Sequence, residues 1–135
     1  MDDVITFSKI KEEDSTGRVW TSVAIFINGK EIVDIIHEVE LSQWKQKIDY
    51  IHQQPHELYK RLENVMQFED KSAEILCCIC GTIECNSPVV HIRSDDDYVY
   101  WDKITHNQMQ WVYNLTYKFN KKLYEIELEK LRSWQ

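Results

Sequence analysis

The chain has 135 residues, 43% hydrophobic and 29% charged, with a formal net charge of −7. Its length suits one domain that buries roughly two-thirds of its unfolded surface without staples. Three Gly and two Pro argue against long flexible linkers. The opening MDDVITFSKIKEED lacks the basic and apolar regions of a signal peptide. No stretch approaches the roughly 18 apolar residues of a membrane span.

The acidity is uneven. Residues 1–44 and 72–102 each carry −5, whereas 103–135 carry +3. Nucleic acid is excluded as a partner, because it needs a concentrated basic surface. A basic protein partner fits, since opposite fields speed encounter. The expected location is the cytoplasm, where thiols stay reduced.

In chain order, VITFSKI alternates, with Ile5, Phe7 and Lys9 on one face, and RVWTSVAIFING is rich in β-branched and aromatic residues. With the polar KEEDSTG between them they predict paired strands over 4–10 and 18–28. EIVDIIHEVEL places Ile32, Ile35, Ile36 and Val39 at helical spacing. SQWKQKIDYI (42–51) repeats the pattern with Trp44, Ile48 and Ile51, and HELYKRLENVM does so with Leu58, Leu62 and Val65. EILCCIC, SPVVHIR and YVYWDKI then predict a meander over 74–80, 88–93 and 98–102. WVYNLTYKF (111–119) alternates again and predicts a strand with an aromatic face. NKKLYEIELEKLRSW predicts a last helix with Asn120 as its N-cap and a stripe of Tyr124, Leu128 and Leu131, widened by Leu123 and Ile126. The expected fold is a single α+β domain over 1–135, in the order β-β-α-α-α-β-β-β-β-α. Its helices pack on one face of an antiparallel sheet.

All four cysteines fall within residues 77–85. On a strand Cys78 and Cys80 share a face, and a turn at Gly81 brings Cys85 back beside them. Three chemistries stay open: buried thiols, a zinc site using Cys78, Cys80 and Cys85 with His91 (or His106) as fourth ligand, and a reactive or disulfide-forming thiol at Cys80 or Cys85. The C-x-C-x4-C spacing is not that of paired CxxC knuckles. His37 beside Glu38, and His52 with His56, are weaker candidates for acid–base or metal chemistry. The acidic runs Glu12, Glu13, Asp14 and Asp95, Asp96, Asp97 are the candidate surfaces for a basic partner. They lack the alternating ligands and Gly of a calcium loop. No phosphate loop, nucleophile elbow, zincin or dinucleotide fingerprint occurs.

INGKEIVDIIHEVE (27–40), ILCCICGTIEC (75–85), VYWD (99–102), WVYNLTYKFN (111–120) and Tyr124 resemble a family of small bacterial proteins of uncharacterised function. That family carries a CxCGxxxC hairpin. Glu84 stands where it has Gly, and CNSP replaces its CWP. The resemblance implies one compact domain and no known reaction. At the level of class alone, the chain is similar to immunity proteins of contact-dependent and polymorphic toxin systems, which are small, acidic and often α+β. The expected function is therefore non-enzymatic: an immunity protein that neutralises a basic, nuclease-type toxin domain without a cofactor. The alternatives are a small zinc-stabilised domain and a thiol-dependent enzyme.

Overall fold

Alternation produces the first two strands, β1 (Ile5–Glu13) and β2 (Val19–Ile27), which pair antiparallel along their whole length. A computed structural model describes residues 2–67, 72–78 and 86–134. Ile5 and Phe7 face the core while Thr6 and Ser8 are exposed, as the period of two requires. The hairpin turns through Asp14–Gly17. Asp14 Oδ1 accepts from the Thr16 and Arg18 amides, and Gly17 sits at φ 85. Such a turn calls for Asp at its start and a residue free to adopt positive φ at its end. Asn28 and Gly29, both at positive φ, then reverse the chain into β3 (Lys30–Glu31).

Helix α1 (Ile32–Trp44) buries Ile32, Ile36 and Glu40. It stops where Lys45 turns left-handed, at φ 59. The second helix expected over 42–51 does not form. Two side chains of α1 take the backbone groups of Ile48 that a continuing helix would bond. Glu40 accepts from the Ile48 amide at 2.9 Å, and the His37 Nε2–H donates to its carbonyl at 2.8 Å. The chain instead enters a short strand, β4 (Tyr50–Ile51), then α2 (Pro55–Gln67). The middle third thus holds two helices where the periodicity suggested three.

β5 (Ser72–Glu74) and β6 (Cys77–Cys78) follow, then β7 (Pro88–Ser94), β8 (Tyr98–His106), β9 (Tyr117–Asn120) and α3 (Lys121–Ser133). The α+β class is as expected, but its antiparallel pairing is shared among three sheets. These are β1-β2-β3, a two-stranded β4-β6, and β5-β7-β8-β9. Helices α2 and α3 pack on each other, and each touches strands of both larger sheets. The picture of one sheet with a single helical face therefore gives way to two sheets joined by helices. A bridge from Asp3 to Phe119 adds a second join. α3 lies along the open edge of β1, where Glu127 accepts from the Phe7 amide at 2.9 Å. An edge strand with unpaired amides invites aggregation, and this contact covers it.

The core joins Ile25, Ile27, Ile36, Leu58, Leu62, Val90, Trp101, Phe119 and Leu131. Within it the Trp101 indole N–H donates to the Tyr124 hydroxyl at 3.2 Å. In 111–119 the odd positions are the more buried ones, as the alternation predicts. Regular pairing, however, is confined to β9 and a bridge at Val112, because Gln110 and Asn114 adopt φ near 57 and break the strand. Leu123 and Ile126, expected to widen the buried stripe of α3, are 59% and 58% exposed.

Candidate functional site

The two acidic runs lie far apart. Asp3 bridges Phe119, which pairs with Val99, so the β7–β8 turn sits beside the start of β1. From there β1 runs to Glu13, and at roughly 3.3 Å per residue its tip is about 30 Å away. No one flat surface gathers all six acids.

Their roles also differ. At the β7–β8 turn, Asp95 Oδ1 accepts from the Asp97 and Tyr98 amides, and Oδ2 accepts from the Tyr100 hydroxyl. These bonds hold its carboxyl below the usual range. Basic groups crowd the turn. Lys121 Nζ donates to the Asp95 carbonyl, Arg93 pairs with Asp102 and covers the Tyr100 ring, and Lys118 covers Tyr98. Asp96 and Asp97 are exposed.

At the hairpin end, Asp14 is likewise spent on its turn. The Thr16 hydroxyl, then the Thr16 and Arg18 amides, lower its carboxyl. Glu13 is exposed, and Glu12 contacts His52 Nδ1 at 2.9 Å. The other ring nitrogen of His52 meets Glu31. Beside this cluster a cleft of about 260 Å³ is lined by Asp14, Arg18, Trp20, His52, Glu57 and Cys77, among others. Trp20 and Glu57 are half-buried. Neither the Trp20 indole N–H nor the Glu57 carboxylate has a hydrogen-bond partner among the described residues.

The thiol candidates divide. Cys80 and Cys85 lie outside the described residues, and Cys78 stands opposite Tyr50 in the β4–β6 ribbon. Cys77 is buried, with Arg61 Nη1 3.9 Å from its sulfur. Burial pushes its thiol up despite that guanidinium, which is the state of an inert thiol rather than a nucleophile. His91 is on β7, opposite Ser72 and Lys103, and its Nε2 lies 3.0 Å from the Thr105 hydroxyl. Burial, then Lys103, lowers its basicity. No cluster of three metal-ligating side chains occurs among the described residues. His106 is buried with Nδ1 accepting from the Gln108 and Met109 amides, so its proton sits on Nε2. His37 is occupied with the Ile48 carbonyl, Glu38 with Lys30, and His56 is exposed.

Sequence reasoning missed the most enclosed ionisable group. Glu40 is fully buried and accepts from the Ile48 amide and from the hydroxyls of Tyr50 and Tyr113, the latter at 2.7 Å. Burial, reinforced by the carboxylate, pushes both phenols well above their ordinary range. The stacked rings of Trp44 and Trp111, 4.3 Å apart, sit beside it, with Tyr113 edge-on to Trp44. The signal was available: Glu40 follows Ile32 and Ile36 at steps of four, on the buried line of α1. The cluster is a structural knot: its carboxylate is fully buried and is spent on the Ile48 amide and the two phenols. Comparison of the chain with family models, curated proteins and solved structures finds no match.

Proposed function

We propose that this chain is a cytoplasmic, non-enzymatic binding protein for a basic protein domain, acting as an immunity protein does on a nuclease-type toxin, and that it binds through the acidic end of the β1–β2 hairpin. The supporting observation is the cleft at that end. Glu57 is a carboxylate without a described partner there, and the half-buried Trp20 ring lines the same cleft. An aromatic side chain beside an unspent carboxylate is the pattern in which a Lys or Arg anchor gains most. The β7–β8 turn is less suited, because its own Arg93, Lys118 and Lys121 already answer its charge.

The test compares two variants binding a capped hexa-arginine peptide at low salt. Glu57→Gln is expected to weaken binding at least twofold, from losing one charge pair of about 0.5–1 kcal/mol. Asp96→Asn with Asp97→Asn is expected to change it less than twofold. The association rate should fall steeply as salt is added. Equal losses in the two variants, or a rate indifferent to salt, would refute the assignment.

A further inference from the structure

We propose that His52 is a proton-operated latch fastening the β1–β2 hairpin to the body of the domain. With both ring nitrogens protonated it holds Glu12 on the hairpin and Glu31 at the start of α1, and loss of one proton gives up one of those contacts.

The geometry requires the charge. Nδ1 lies 2.9 Å from a Glu12 oxygen, and Nε2 contacts a Glu31 oxygen. Ionised carboxylates only accept hydrogen bonds, and a neutral imidazole has a single N–H to give. Only the imidazolium satisfies both neighbours. The three side chains are 18%, 24% and 26% exposed, so water competes weakly for these bonds. The two carboxylates are not equally free to leave. Glu31 is fixed by pairing with Phe26 and by heading α1. Glu12 sits beside the hairpin turn, opposite Trp20.

Among the described residues, Glu12–His52 is the one hydrogen bond or ion pair that ties residues 11–21 to the rest of the chain. Lys11 bonds Thr21, and Asp14 bonds Thr16 and Arg18, all within the hairpin. The other charged or titratable groups facing the ring are Asp14 and Arg18 from the hairpin, Glu57 from α2 and Cys77 from β6. The net surroundings are acidic, which suits a cationic ring as holder. Releasing Glu12 would set a further carboxylate beside Glu57. This consequence rests on the reading of the hairpin end as a binding surface; the latch does not.

The test is a pH series on the full ¹⁵N-labelled chain. Ring spectra report the His52 proton, and amide exchange, corrected for intrinsic rates, reports protection at Ile10, Glu12 and Trp20. As the ring loses its proton, protection at these amides is expected to fall about tenfold, with the same midpoint, while core amides of β8 stay unchanged. His52→Gln, which cannot carry the charge, should show the low protection at every pH. Glu12→Gln keeps a surface side chain of the same shape and should abolish the coupling without disturbing the fold. Protection that stays constant through the ring's titration, or a His52→Gln variant as protected as the parent, overturns the latch. Hexa-arginine binding measured on both sides of the same titration separates the two ideas. Tighter binding above it supports release of Glu12 into the site. Equal binding refutes that consequence alone and leaves the latch standing.

Discussion

Glu40 shows what a single buried acceptor can organise. Its carboxylate collects three donors from two distant parts of the chain and replaces the helix that 42–51 would otherwise continue. Removing it leaves an amide and two phenols without their acceptor, each costing about 1–3 kcal/mol when buried. Glu40→Ala is therefore expected to lose about 3 kcal/mol or more in urea unfolding. Glu40→Gln, which keeps one oxygen, should lose about 1–2 kcal/mol. A Gln variant as damaged as the Ala variant would mean the charge, not the acceptor, matters. At the same scale, Cys77 is buried with its thiol pushed up. It should remain unalkylated in the folded chain at neutral pH, as peptide mapping after brief exposure to iodoacetamide can check.

At the scale of elements, the helix ends offer opposite predictions. Asn120 Oδ1 accepts from the Leu123 amide as the N-cap of α3, so Asn120→Ala should cost about 1 kcal/mol. Lys45 ends α1 in a left-handed conformation that a side chain resists. Lys45→Gly should therefore be neutral or stabilising by up to about 1 kcal/mol, and the sign of the shift in the urea midpoint decides. The contrast also marks what was readable. Asn120 before an apolar stripe is a local signal, and β1, β2 and α3 appeared where local pattern put them. The end of α1 depends on Glu40 meeting Ile48, Tyr50 and Tyr113, a tertiary fact invisible to a window of periodicity. The same holds for 111–119. Burial there follows the alternation, while the pairing is set by left-handed Gln110 and Asn114. For the candidate site, the sequence marked Glu12, Glu13 and Asp14. Trp20 faces Glu12 from the paired strand β2, whereas His52, marked in the sequence for other chemistry, and Glu57 join them only because β4 and the start of α2 are folded against the hairpin.

Across the whole molecule, acidification should act in two opposite senses at once. His91 and His106 both bind a proton less readily in the folded chain than the ordinary value of 6.5, chiefly because they are buried. Groups with depressed folded values stabilise the fold above the unfolded value and lose that contribution as pH falls through the folded one. Asp14 and Asp95 work in the same direction at more acid pH, since their turns lower both carboxyls. In the His52→Gln variant, which removes the opposing contribution of the latch, the urea midpoint is therefore expected to drop from pH 7.5 to 5, and a midpoint that rises there would contradict the shielded placement of the two histidines. The hairpin should respond the other way, because the imidazolium of His52 closes on Glu12 as protons are added. Local protection of residues 10–20 in the parent and global stability in His52→Gln would then move in opposite senses as acid is added. A protein whose histidines were merely exposed would show neither trend, and one that simply loosened in acid would lose both together.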